Sequence, residues 1–360
     1  DLLARLVAHQ LGATPVITGA SNSLGLPGID VLGLPYGWKR GTGDWNGVLA
    51  AIAREETVQV IQEAGSTLWQ DHLPAGHPFS FGFPEYTAGQ KELVSPKARI
   101  WISASKRQLS AESDFPKVQW HPRVLWVGIG CERGTSRYLI ETAIEQVCQR
   151  YHLATEAIAG IATIDRKADE EGILELCRDR HFPLETFSAQ MLRQVGVPNP
   201  SEAVNREMGT ASVAEAAALS ASQHPPFPTP LLVPKQIVKL EGEAGAVTVA
   251  IAQSPLEYTG RTGQLFLVGT GPGNLEQMTP AAQTAVAGAD AVIGYSLYTD
   301  LIAPLRRPGQ IIESLPITQE RQRAQRAIEL AQWGLAVAVV SSGDCGIYGM
   351  AGLVLGGLPP

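Results

Sequence analysis

Cysteine is scarce in this chain, with four in 360 residues: Cys131, Cys148, Cys177 and Cys345. None falls in a C-x-x-C spacing or beside a His pair. That argues against structural zinc or any other metal site and against a disulfide framework, and it fits a reducing, cytoplasmic compartment. Long apolar runs are missing as well. No stretch approaches the roughly 20 residues needed to span a bilayer, so no membrane partner is expected. Positive charge is in deficit: 28 Lys and Arg stand against 35 Asp and Glu, a net charge of −7. Without a basic stripe to neutralise phosphates, a nucleic-acid partner is excluded. The Arg306-Arg307 pair and the Arg321, Arg323, Arg326 group read as solvated faces.

What is present is ordinary for a soluble globular protein: 44% hydrophobic and 18% charged residues, enough for two or three domains. Residues 1 to 40 hold a helix over Leu2–Leu11 and a strand over Pro15–Thr18. Residues 41 to 118 hold the helix Trp45–Arg54 and the strands Val58–Ile61 and Ala98–Ser103, around a Pro-, Gly- and aromatic-rich loop over Leu73–Ala88. From 122 to 253 the pattern alternates: strand Val124–Val127, helix Ser136–Arg150, strand Ile158–Ile164, helix Ala168–Arg178 and a final strand Val247–Ala252. Ser254–Gly263 reads as a linker, and 264 to 360 repeat strand, loop and helix. Such alternation predicts several small α/β domains with mostly parallel sheets covered by helices. The chain is already helical in character at Leu2 and stops soon after a glycine-rich loop, so it reads as a piece of a longer protein.

The most informative stretch is Leu267-Val-Gly-Thr-Gly-Pro-Gly-Asn-Leu-Glu-Gln-Met-Thr-Pro-Ala-Ala282. It follows a short apolar strand and enters a helix with Thr279 placed to cap it and Pro280 in its first turn. Such a loop lets a ligand approach bare backbone at the carboxyl edge of a sheet. A dinucleotide fingerprint fails here. Asn274 stands at the sixth position, Pro272 stiffens the turn, and the next strand ends in Gly294-Tyr295 with no acid for a ribose hydroxyl. An NAD-linked reductase is therefore disfavoured. Two later stretches join this one: Ile293-Gly-Tyr-Ser-Leu-Tyr-Thr-Asp-Leu-Ile302, and Ser341-Ser-Gly-Asp-Cys-Gly-Ile-Tyr-Gly-Met-Ala-Gly-Leu-Val-Leu355.

In this order the three stretches resemble the tetrapyrrole methyltransferases of the precorrin-3B C17 branch. The resemblance implies S-adenosylmethionine (SAM) as cofactor, a precorrin substrate, and a homodimer through this part of the chain. Gly269, Gly271, Pro272 and Gly273 would shape the pocket edge, and Asp344, Gly346, Ile347 and Tyr348 would contact the cofactor, mainly through backbone. Cys345 replaces the family's proline, and Asn274 an acid. The family uses two α/β domains with SAM between them. Only the first is here, so residues 264–360 alone are not expected to methylate.

Upstream, Gly128-Ile-Gly-Cys-Glu-Arg-Gly-Thr135 joins a buried strand to an amphipathic helix, an arrangement that reads as an anion site. Ala162-Thr-Ile-Asp-Arg-Lys-Ala-Asp-Glu-Glu-Gly-Ile-Leu174 places polar residues at the end of the next strand. With Val197–Val204, Gly209–Leu219 and Leu231–Gln236, these stretches resemble the carboxyl-terminal domain of the cobalt-precorrin-5A hydrolases, and residues 1–118 resemble the preceding parts of that family. The resemblance implies opening of a corrin lactone with release of acetaldehyde.

Lactone opening needs a base to activate water and positive groups or amides for the oxyanion. Asp165 and Glu170 are the candidate bases. Lys167, Arg133 and the amides of Cys131–Gly134 are candidate stabilisers, and Arg133 and Lys167 are equally candidates for holding the substrate's carboxylate arms. Cys131 is either a nucleophile or a small packed residue. A rival reading from another class is a corrinoid-binding scaffold without catalysis.

Overall fold

The computed structural model of the chain describes residues 24–83, 95–109, 115–202, 206, 208–223, 229–347 and 349–358. The helix Leu2–Leu11, the strand Pro15–Thr18, part of the Leu73–Ala88 loop and Tyr348 lie outside them. The described residues form three sheets, each with helices packed against it.

The first sheet contains β1 (Lys39–Gly43), β2 (Val58–Gln62), β3 (Phe79–Phe81), β4 (Ala98–Ile102) and β5 (Lys117–His121), in the order β1-β5-β4-β2-β3. Only β1 runs antiparallel. Helix α1 (Trp45–Ala53) begins at Asp44, whose carboxylate accepts the Gly47 amide, and buries Val48, Ala51 and Ile52. β5 has no counterpart in the sequence reading, which ends a domain at residue 118. Its Trp120 is fully buried, donating through Nε1 to the Ile29 carbonyl at 3.0 Å.

The second sheet is built from β6 (Leu125–Cys131), β7 (Ile158–Ile164), β8 (Leu184–Phe187), β9 (Leu231–Val238) and β10 (Val247–Gln253), in the order β8-β7-β6-β10-β9. It is mixed: β6, β7 and β8 are parallel, and β10 runs antiparallel to both its neighbours. β9 is an edge strand that tolerates Pro234 through a local irregularity in its pairing, which is why a proline-bearing run did not read as a strand. Helix α2 (Arg137–Arg150) is capped by Ser136 and turns the predicted apolar face, Leu139, Ile140, Ala143, Ile144 and Val147, to the core. The helix expected from Ala168 begins instead at Glu171 (α3, Glu171–Arg180), after a single 3-10 turn over Asp165–Lys167. Glu170 is extended at that point and breaks the helical path. Helix α4 (Val213–Ser222) lies directly on β6. A Cβ at Gly128 would stand 1.9 Å from the Ala214 carbonyl oxygen, so glycine is what permits the approach.

The third sheet is wholly parallel: β11 (Gln264–Gly269), β12 (Ala291–Gly294), β13 (Ile311–Ser314) and β14 (Ala336–Ser341), ordered β11-β14-β12-β13. Its helices are α5 (Pro280–Gly288), α6 (Ser296–Leu301), α7 (Glu320–Gln332) and α8 (Ala351–Gly357). As predicted, Thr279 caps α5 through its hydroxyl and Pro280 occupies the first turn.

The segment 254–263 does connect β10 to β11, but it is packed rather than solvated. Ser254, Glu257 and Thr259 are buried. The Glu257 carboxylate accepts Trp38 Nε1 at 2.6 Å and the Ser66 amide at 3.0 Å, and its carbonyl accepts Trp333 Nε1 at 2.8 Å. One continuous apolar core joins residues around the first sheet, such as Leu26, Tyr36 and Trp38, to Ile293, Ile328 and Val337 of the third. Among the described residues no helix is long and apolar enough to cross a membrane.

Candidate functional site

At the carboxyl edge of the second sheet, the ends of β6 and β7 and the start of α4 enclose a cleft of about 670 Å³. Ile164, Met208, Val213, Ala214 and Ile237 give it apolar walls, while Cys131, Glu132, Arg133, Arg166, Lys167 and Lys235 supply polar groups. Because β6 and β7 are parallel neighbours, the Cys131–Thr135 loop and the Asp165–Lys167 turn emerge side by side.

Lys167 is the centre of this arrangement. It is 4% exposed, and its amine lies 3.0 Å from Glu170 Oε2; Glu170 is itself 3% exposed. The other carboxylate oxygen of Glu170 accepts the Gly134 amide at 2.7 Å. The anion that this loop was expected to bind is thus already present in the fold: Glu170 fills the place. The expected helix amino end is also engaged, since Ser136 Oγ caps α2 and donates to Glu243.

The remaining predicted residues separate. Asp165 is exposed, lies outside the cleft lining, and accepts the adjacent Arg166 amide. Glu170 has both oxygens committed, one to the Gly134 amide and one to the Lys167 amine. Arg133 is exposed and tied to Asp169 at 2.6 Å; that bond holds the Asp169 carboxyl below its usual range. Cys131 is half-buried, and burial pushes its thiol up, with the Lys167 charge opposing, so thiolate formation is disfavoured.

Two groups in the cleft were overlooked. Glu132 lines it, is exposed, and forms no ion pair among the described residues. It sat in plain view between Cys131 and Arg133, but nothing in its spacing marked it. Lys235, on β9, sends its amine to the Asn199 carbonyl at 2.9 Å, while its own amide is held by Glu215 at 3.0 Å. Glu215 is 0% exposed and also accepts Asn199 Nδ2 at 2.8 Å. This buried carboxylate fixes the rim on which Lys235 stands. Finding it from sequence requires knowing that β9 approaches α4.

At the third sheet, all three glycine-bearing stretches converge on one edge. β11 and β14 pair in register as far as Gly269 and Ser341, and β12 flanks β14 on its other side, ending at Gly294. Beyond the strands, the Gly271 amide donates to Gly343 O at 3.2 Å and the Gly343 amide to Gly271 O at 3.0 Å, which ties the two loops together. Gly271 and Gly273 have φ of +64° and +105°. A Cβ at Gly269 would lie 2.3 Å from the Gly343 carbonyl oxygen. Pro272 separates the two positive-φ glycines.

Asp344 accepts the Gly346 amide, Ile347 is exposed, and Cys345 Sγ lies 3.5 Å from the Leu267 carbonyl, bracing the loop in the proline's place. Asn274 caps the turn over Leu275–Gln277. Tyr295 and Tyr298 form an edge-on pair with ring centroids 5.6 Å apart. Among the described residues nothing lies within 4 Å of a Cβ at Gly273 or Gly343, so this rim is bare backbone. Among the described residues, no three His, Cys, Asp or Glu side chains gather in a way that could hold a metal ion.

Two α/β units on one chain each carry a loop-lined cleft or rim at the carboxyl edge of a sheet, and comparison with known proteins says which families they resemble. Family profiles match residues 27–122 (cobalamin biosynthesis central region), 125–252 (cobalamin synthesis G C-terminus) and 264–357 (tetrapyrrole, corrin/porphyrin, methylases). The chain belongs to the cobalamin-biosynthesis proteins, as a region of the cobalt-precorrin-5A hydrolase type fused to part of a tetrapyrrole methyltransferase domain.

It is 31% identical over 258 residues to the cobalt-precorrin-5A hydrolase of Priestia megaterium, covering 71% of this chain and 66% of that one. Over 92 residues it is 49% identical to the cobalt-factor III methyltransferase of the same organism, covering 26% of this chain and 17% of that one. The crystal structure of the methyltransferase CobJ is 37% identical, covering 26% of this chain and 38% of that one, with a TM-score of 0.25. The chain thus spans just under two thirds of the hydrolase relative and less than a fifth of the methyltransferase relative.

Proposed function

We propose that the cleft at the end of β6 and β7 binds a corrinoid lactone and hydrolyses it, with acetaldehyde released from the opened product. The observation that carries this reading is the buried amine of Lys167, held on Glu170 beside a cleft that also presents Glu132, a carboxylate with no ion pair among the described residues. A charged amine fixed in an apolar wall stabilises a developing oxyanion far better than one in water, because it need not reorganise. Glu132 accepts the proton of the attacking water. Lys235 and Arg133, at the rim, are placed to pair with the carboxylate arms of the macrocycle. Cys131 contributes shape and no nucleophile.

The glycine rim of the third sheet is, on the same proposal, a SAM site. When bound, SAM supplies a methyl group already activated on a sulfonium, so the chain's task is placement. Gly269, Gly271, Pro272 and Gly273 form one wall, and Asp344, Gly346 and Ile347 the facing one. The glycine cradle that a Cβ would fill suits a ligand held mainly by main-chain groups. The precorrin-3B C17 position is the expected acceptor, since the methyltransferase relatives act on C17 or on cobalt-factor III.

The test is acetaldehyde release from cobalt-precorrin-5A, read with an alcohol dehydrogenase couple. Glu132→Gln should lower the rate about 100-fold, whereas Asp165→Asn, which lies outside the cleft, should leave it unchanged. The scaffold reading is favoured by the saturated Glu170 and the displaced Asp165. It predicts that Glu132→Gln binds corrinoid and leaves flux untouched.

A further inference from the structure

A second cleft, of about 580 Å³, opens at the seam between the first two sheets, away from both sites above. It is lined by Arg99 and Trp101 of β4, the Ser105–Leu109 stretch, Lys117 at the start of β5, and His152 after α2. The seam itself is stitched: Ser105 bridges to Leu153, and the Lys106 amide donates to the His152 carbonyl at 2.8 Å. The cleft therefore spans two units of the chain.

Its charge is one-sided. Arg99, Lys106, Arg107 and Lys117 line it with no carboxylate among the described lining residues, on a chain whose net charge is −7. Arg107 alone of the four has a carboxylate partner among the described residues, Glu63 at 2.6 Å. Arg99 is half-buried, gives its Nε to the neutral Gln59 Oε1 at 2.7 Å, and lies 5.2 Å above the Phe115 ring. Burial lowers its pKa. Lys117 is also half-buried and rests 4.9 Å over the same ring. Arg99 and Lys117, drawn together on one aromatic face with no ion pair among the described residues, raise the folded state's energy, and folding has no need of the arrangement. Phe83, 63% exposed and 5.8 Å from the Trp101 ring, adds a flat apolar surface beside them.

We propose that this cleft is a second ligand site, for a multivalent oxyanion whose charges replace the missing carboxylates. Two sources share that chemistry: the carboxylate arms of a tetrapyrrole, and a polyphosphate. The exposed Phe83 ring favours the tetrapyrrole, and that part of the inference rests on the corrinoid reading above.

Titration calorimetry of the whole chain with uroporphyrin, its methyl ester and inorganic triphosphate separates the cases. Uroporphyrin is expected to bind and the ester not. Arg99→Gln and Lys117→Gln should each weaken binding about tenfold, while Lys235→Gln, in the other cleft, leaves this binding in place. Competition by triphosphate at equal affinity assigns the oxyanion site to phosphate. The proposal is overturned if neither anion binds, or if both seam variants bind as the parent does. It is overturned equally if only Lys235→Gln weakens binding. Acetaldehyde release is measured separately, so failure of the hydrolase reading and failure of this one can be told apart. Thermal melts of Lys117→Gln, whose side chain makes no hydrogen bond or ion pair among the described residues, exclude misfolding.

Discussion

Lys167 and Glu170 show how one pair can serve structure and chemistry at once, and how to separate the two. Both are buried and each is the other's counter-charge. Removing one partner strands the other, so Lys167→Met should cost about 3–5 kcal/mol of stability by urea unfolding. Replacing both, as Lys167→Met with Glu170→Leu, should recover most of that loss, because an apolar pair carries no desolvation penalty. Acetaldehyde release should stay about 100-fold down in both variants if the amine stabilises the oxyanion. Recovery of activity along with stability would reduce Lys167 to a structural role. The carboxylates were the harder part of the site to read from sequence. Charged residues after a strand mark a functional edge, but which one faces the cleft depends on a 3-10 turn that rotates Lys167 inward and leaves Asp165 in water.

Among elements, α4 packs so tightly on β6 that a Cβ at Gly128 would stand 1.9 Å from the Ala214 carbonyl oxygen. A methyl group there must displace the helix whose amino end walls the cleft, since the obstructing atom is a main-chain oxygen. Gly128→Ala is expected to destabilise the chain by about 2–3 kcal/mol in thermal unfolding and to reduce acetaldehyde release. Gly130→Ala, where the nearest atoms lie at 3.7 Å or beyond, should be tolerated. The contrast tests packing, since both glycines sit on one strand. Strands such as Ile158–Ile164 and the capped helices α2 and α5 were legible because their burial is complete and their end signals are local. β9 and β5 were not. An edge strand with a proline, and a polar-looking run whose Gln119 and His121 are buried on hydrogen bonds, owe their state to distant partners. The convergence of the glycine loops on one sheet edge was legible because each follows directly on a strand of a parallel sheet.

On the scale of the whole molecule, the segment 254–263 decides how the parts hold together. Its Glu257 is 2% exposed between Trp38, Ser66 and Trp333, at the meeting of all three sheets. Desolvation pushes its carboxyl from 4.5 up to about 7, against the lowering effect of the bonds from Trp38 and Ser66. An acid whose pKa rises on folding is protonated in the native state where the unfolded chain has already lost its proton. Its contribution is therefore complete below about pH 4.5 and is lost as pH rises through about 7, a swing of about 3 kcal/mol. His121 works in the opposite sense: burial depresses its pKa, so the stability it contributes falls away with acid. A wild-type pH curve mixes the two, and a variant isolates one. Glu257→Gln keeps an acceptor for Trp38 and the Ser66 amide but cannot ionise. Relative to the parent it should gain stability steadily from pH 5 to pH 8 in urea unfolding. Because one apolar core joins the first and third sheets, the gain should appear in a single transition reported alike by tryptophan fluorescence and circular dichroism. A stability difference that stays flat with pH would mean that the hydrogen bonds from Trp38 and Ser66 to the carboxylate outweigh its burial. Two separated transitions would mean that the methyltransferase segment unfolds independently of the hydrolase region.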